Sequence, residues 1–249
     1  MTDTWLDKIK AGEHVTLDFV GDSVTHGLNH CRPEETYVAK IAALLARRFP
    51  THTVRRFDGI QGEELKPLEG FDGPILVSAG SGGGVIDVIR NGVGGNTVRR
   101  AHNRIQNFTG VLANGRTPDV TFLMLGINDS LDNDPAKYVP VDVYGQQYKA
   151  LLADIRRHHP EAELVILSST YNGESIRPYC ECSKALAAEE GIPYVDLFAF
   201  WMAHYDPSAP HFGQGDWLSD CAWDACHPPP VSAEATAAYI LDALLTEDA

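Results

Sequence analysis

Ser23 lies in Gly21-Asp22-Ser23-Val24-Thr25-His26-Gly27, directly after the apolar, β-branched run Val15-Thr16-Leu17-Asp18-Phe19-Val20. A hydroxyl set between glycines at the end of a strand can act as a nucleophile, provided a base removes its proton. Near the other end of the chain, Asp224 and His227 stand three residues apart. In a turn or a single helical coil, that spacing puts a carboxylate beside Nδ1 and leaves Nε2 aimed elsewhere. An imidazole is the natural base near neutral pH, and an acceptor on Nδ1 fixes its tautomer. Acyl transfer also needs donors for the negative charge that grows on the substrate oxygen. The Ser23 amide, the Gly95 amide in Gly92-Val93-Gly94-Gly95-Asn96-Thr97 and the Asn128 side-chain NH₂ are the candidates.

These groups converge only if the elements carrying them share an edge. Apolar runs alternate with amphipathic stretches, which argues for a parallel sheet covered on both faces. The first strand leads to a helix at about 34–48, with Val38, Ile41, Leu44 and Leu45 on its buried stripe. Residues 52–95 are irregular. Three strand-like segments, 53–57, 74–77 and 85–89, suggest a second strand elaborated by an inserted hairpin. A helix is expected at 97–112, with Val98, Ala101, Ile105 and Phe108 facing inward. A strand at 120–125 runs into Gly126-Ile127-Asn128-Asp129. A helix at 143–158, a strand at 164–167, a helix at 178–190 and a strand at 193–197 continue the alternation. After the aromatic stretch 199–230, Ser232 is the expected N-cap of a closing helix. In parallel α/β sheets the carboxyl edge is where ligands bind, and Ser23, Gly95 and Asn128 all follow strands.

The four blocks resemble those of the SGNH hydrolases, the GDSL-type esterases and lipases. Gly21-Asp22-Ser23 with Thr25 and Gly27 is similar to the nucleophile block, and Asn91-Gly92-Val93-Gly94-Gly95-Asn96-Thr97 to the glycine block. Gly126-Ile127-Asn128-Asp129 resembles the G-x-N-D block, and Asp224-Ala225-Cys226-His227-Pro228 the D-x-x-H-P block. The resemblance spans residues 18–228. It implies a three-layer α/β/α sandwich around a five-stranded, mostly parallel, flavodoxin-like sheet, in one domain over 1–249. The inserted hairpin falls at about 58–84. It also implies Ser23 as nucleophile, His227 as base, Asp224 as its orienting acid, and an oxyanion hole of Ser23, Gly95 and Asn128, with no cofactor. The expected partner is a small-molecule ester. A short acyl group such as acetate, carried on a carbohydrate or similar polar alcohol, is the first expectation. The alternatives are a lysophospholipase or thioesterase, or an inert descendant that binds glycans or protein. Trp217 and Trp223, beside the base, would wall the substrate, since flat rings suit sugar faces.

Other features of the chain narrow the choice. A net charge of −14 argues against nucleic acid or an anionic membrane as partner. No run reaches membrane-spanning length, so no membrane insertion is expected. The acidic start, Met1 to Asp7, lacks the basic character of a secretory signal. Five cysteines, an odd number, fit free thiols better than a disulfide framework, so the expected location is the cytoplasm. Gly92-x-Gly94 lacks the third glycine of a dinucleotide loop, because position 97 is threonine. Cys180, Cys182, Cys221 and Cys226 lack the pair spacing of a zinc site. Asp132-Asn133-Asp134 lacks the glycine and distal glutamate of a calcium loop, so no metal is expected. Asp22 is read as a local backbone partner. His26 and His30, with no aspartate three residues ahead, are read as pocket or surface residues.

Overall fold

The computed structural model describes residues 4–27, 31–58, 74–107, 112, 114–170, 174–204 and 230–245. Within them seven strands form one sheet: β1 (His14–Gly21), β2 (Thr53–Asp58), β3 (Ile75–Ser78), β4 (Val85–Gly92), β5 (Val120–Met124), β6 (Glu163–Leu167) and β7 (Tyr194–Val195). The helices are α1 (Trp5–Lys10), α2 (Ser23–His26), α3 (Tyr37–Arg48), α4 (Val98–Asn107), α5 (Val141–His158), α6 (Arg177–Glu190), α7 (Leu197–Ala203) and α8 (Pro230–Leu245). The strand order is β3-β2-β4-β1-β5-β6-β7, and every neighbouring pair is parallel except β2 and β3.

Strand β1 sits at the centre of this order. Leu17 and Phe19 point to one face, where they join apolar side chains of α1, α3 and α8. Val20 points to the other face, toward α4, α5 and α6. Successive residues of a strand alternate between faces, so one strand serves both cores. Phe19 stacks on Phe122 of the neighbouring strand with centroids 4.3 Å apart. Each such ring, fully removed from water, contributes on the order of 1.5–3 kcal/mol by burial. The expected α/β sandwich class is met.

The sheet has seven strands where five were expected. Segment 74–77 supplies β3, antiparallel to β2 as a hairpin requires. Segment 85–89 belongs to β4, a central strand paired in parallel with both β1 and β2. Local apolar content could not separate these roles, because pairing partners come from distant chain. At the far edge, β7 keeps only two residues. The Asp196 carboxylate accepts the Ala199 N–H at 2.9 Å, capping α7 and ending the strand. The closing helix begins at Pro230, so Ser232 lies within its first turn and is not the cap. Short α1 was not anticipated. A Thr4/Asp7 capping box holds its six residues, too few to show a helical period.

Candidate functional site

The C-terminal ends of β1, β4 and β5 lie side by side, with Gly21 in register with Gly92 on one flank and Met124 on the other. From the first of these ends the chain turns directly into α2. The Asp22 side chain accepts the Val24 N–H at 2.9 Å, and Gly27 closes the single turn with its N–H on the Ser23 carbonyl at 2.8 Å. Asp22 thus has the local backbone role expected of it. Ser23, half-buried, is the first residue of this turn.

Gly92 explains how the second strand end comes so close. A Cβ there would lie 2.3 Å from the His26 amide nitrogen and 2.8 Å from the Asp22 carbonyl oxygen, so any side chain would push the serine turn away. Gly95 then takes φ +72°, a left-handed conformation that glycine adopts without strain. The turn is closed by the Asn96 N–H on the Val93 carbonyl at 3.1 Å.

Asn96 joins the three strand ends. Its Nδ2 donates to the Gly21 carbonyl at 3.1 Å, and its own carbonyl accepts from Asn128 Nδ2 at 2.9 Å. The Val93 N–H also donates to the Gly21 carbonyl, at 3.1 Å. Ser23, Gly95 and Asn128 therefore emerge from one hydrogen-bonded cluster, as the parallel sheet required. Asn96 and Asn128 are both buried, so each bond is made away from competing water.

A second set of groups anchors the other end of α2. An Arg90 guanidinium N–H donates to the His26 carbonyl. Arg90 Nε also meets Asp58 at 3.1 Å, and Arg56 Nε meets the same carboxylate at 3.0 Å. All three side chains are buried. Arg56 and Asp58 lie two apart on β2, but Arg90 comes from β4, 32 residues on from Asp58, and only the sheet pairing brings it to the same carboxylate. His26 itself is buried, and burial, with the nearby Arg90 cation, lowers its pKa to about 4. It is neutral at ordinary pH.

Asp129, next to Asn128, is fully buried and holds the Val98 N–H with both carboxylate oxygens at 3.2 Å. Burial lifts its pKa to about 7, against the pull of the Val98 N–H, and the Asp22 carboxylate adds to the rise.

Asp224, His227, Trp217 and Trp223 lie outside the described residues, as do Cys221, Cys226 and His30. Trp201, at the start of the aromatic stretch, is a core residue whose Nε1 donates to Thr236 Oγ1 at 3.1 Å. Cys31, Cys180 and Cys182 carry free thiols, and burial pushes Cys180 up to about 12. Among the described residues no group of three histidine, cysteine or acidic side chains is placed to hold a metal. No helix among them is long and apolar enough to cross a membrane.

The sequence profile of the GDSL-like lipase/acylhydrolase family matches residues 75–231, well over half of the chain, and the protein belongs to that family of ester hydrolases. Solved structures with the same fold include a catalytic mutant of an acetylxylan esterase from Geobacillus stearothermophilus. It is 22% identical with a TM-score of 0.62, and the match covers 94% of this chain and 95% of that one. A Clostridium thermocellum family 3 carbohydrate esterase gives 18% identity and a TM-score of 0.61, over 94% and 96% of the two chains. A two-domain esterase active on acetylated mannans gives 15% and 0.62, covering 97% of this chain and 51% of that one. No curated protein matches the sequence.

Proposed function

We propose that the protein is a serine esterase working through an acyl-enzyme, with Ser23, His227 and Asp224 as its catalytic residues. Ser23 Oγ attacks the ester carbonyl carbon as its proton passes to His227 Nε2. Asp224 accepts from Nδ1 and stabilises the imidazolium. The carbonyl oxygen becomes an oxyanion, held by the N–H groups of Ser23 and Gly95 and by Asn128 Nδ2. When the carbon–oxygen bond to the alcohol breaks, His227 returns its proton to the leaving oxygen. Water, deprotonated by the same imidazole, then attacks the acyl carbon. Ser23 leaves with that proton, and the carboxylic acid is released.

One observation carries this reading. Asn96 bonds both to the Gly21 carbonyl, two residues before Ser23, and to Asn128 Nδ2, and it follows Gly95 directly. The nucleophile and two oxyanion donors come from a single cluster. We further propose short acyl groups, acetate first, on a carbohydrate or similar polar alcohol, with Trp217 and Trp223 walling the substrate. Support comes from the acetylxylan, family 3 and acetyl-mannan esterases that share the fold. The same reading takes residues 1–249 as one domain. It takes the thiols of Cys31, Cys180 and Cys182 as those of a protein from a reducing compartment.

The test compares p-nitrophenyl acetate with longer-chain esters and with acetylated xylan. Ser23→Ala and His227→Ala should each lower kcat by roughly 10⁴-fold or more while circular dichroism stays unchanged. Wild-type turnover by Ser23→Ala would refute the nucleophile. A preference that rises with chain length would refute the acetyl substrate.

A further inference from the structure

The oxyanion donors hang on a turn that needs its own support, and Asp129 provides it. Val98 is the first residue of α4, so its N–H has no partner within the helix. Thr97 Oγ1 takes the Arg100 N–H at 3.2 Å, while the Val98 N–H goes across the chain to Asp129. Three and two residues before Val98 lie Gly95, with its left-handed φ, and Asn96, whose carbonyl holds Asn128. Asp129 is thus bonded to one end of the glycine turn, and its backbone neighbour Asn128 is bonded to the middle. The Asp129 carbonyl also accepts the Val139 N–H at 2.9 Å, fixing the loop beyond.

We propose that Asp129 is a positioning residue for ester hydrolysis: its carboxylate clamps the start of α4 and so sets the Gly95 amide and Asn128 at the distance the oxyanion requires. This rests on the reading of Ser23, Gly95 and Asn128 as the reaction site. Releasing the clamp leaves every donor in the chain but lets the turn shift. A displacement of about 1 Å in a reacting group costs on the order of 10²-fold in rate. An acceptor, and not a full charge, is what the Val98 N–H needs. An asparagine of the same shape offers its Oδ1 for that purpose.

Turnover of p-nitrophenyl acetate is measured for Asp129→Ala, Asp129→Ser and Asp129→Asn, and expressed per site titrated by a fluorophosphonate. Asp129→Ala should lose about 10- to 100-fold in kcat with KM within about threefold, and Asp129→Asn should stay within about fivefold of wild type. A merely structural role would lower the melting temperature and leave kcat per titrated site unchanged, which overturns the proposal. Asp129→Asn falling as far as Asp129→Ala also overturns it. Should Asp129→Ala not fold, Asp129→Ser, too short to reach Val98, carries the same expectations. Should neither fold, Asp129→Asn decides: retained kcat supports the clamp and a 10-fold or greater loss overturns it. Ser23→Ala, run alongside, separates the two levels. Its activity would sink the esterase site itself, whereas an inactive Ser23→Ala beside a normal Asp129→Ala sinks only the clamp.

Discussion

Asn128 has two amide hydrogens, and the fold commits one of them to the Asn96 carbonyl at 2.9 Å. The committed bond fixes the plane of the amide, so the second hydrogen points in a set direction before any substrate arrives. Preorganised donors of this kind do not have to reorient as charge develops, which is why their loss is felt in kcat. Asn128→Ala should lower kcat by roughly 10²–10³-fold with little change in KM. Steady-state kinetics on p-nitrophenyl acetate check it, and an equal rise in KM with kcat unchanged would assign Asn128 to ground-state binding instead. Ser23, Gly95 and Asn128 stand out as candidates from residue type and the order of their short blocks, and the fold brings the strand ends that carry them together. Asn96 stood in one of those blocks without a role. Its part depends on which carbonyl its side chain meets across the sheet, and that is set by folding.

At the scale of elements, α2 is a single turn of four residues, too short to be stable by its own backbone bonds. It persists because both ends are held. Asp22 caps its start, and the Arg90 guanidinium takes the His26 carbonyl at its finish. Arg90 and Arg56 share the Asp58 carboxylate, so among the described residues two buried cations meet one anion. Removing one partner from such a set leaves charge in a poorly solvated place, at a cost of roughly 3–5 kcal/mol. Asp58→Ala should therefore lower the unfolding free energy by about that amount, measured by urea denaturation. A loss below about 1 kcal/mol would mean that water reaches the arginines. The helices α3, α4 and α5 were legible because their apolar stripes repeat along one face. The sheet pairing was not, as β4 shows. Its apolar residues look the same whether they enter a hairpin or the middle of the sheet, and only long-range register distinguishes the two.

Across the whole molecule, polar groups gather at opposite ends of the strands. Near the amino ends of the strands, Asp87 is tied to Arg55 at 2.7 and 2.8 Å, to Asn114 at 2.8 Å and to His14 at 2.7 Å, and these partners hold its pKa down against burial. Midway along β1, Asp18 has weaker support. Asn91 Nδ2 reaches it at 3.5 Å, Arg104 lies within electrostatic range, and burial still lifts its pKa to about 7. The direction of linkage follows from that rise. A carboxyl whose pKa is higher folded than unfolded stabilises the fold fully below its unfolded value near 3.8, and loses that contribution as pH climbs through about 7. Asp18→Asn cannot ionise, so it removes this loss while keeping the shape. Arg104, itself lowered to about 10 by burial, has Asp18 as a counter-charge only where Asp18 is ionised, and that attraction is already contained in the Asp18 value of about 7. The pH dependence of the difference isolates Asp18, because His26, Asp87 and Asp129 titrate in both proteins. Unfolding free energies of variant and wild type, taken from urea curves between pH 4 and 8, should diverge in the variant's favour as pH rises. The slope is at most about 1.4 kcal/mol per pH unit, flattening above pH 7. A difference that is level across that range would show that Asp18 is ionised throughout and that Arg104 outweighs its burial.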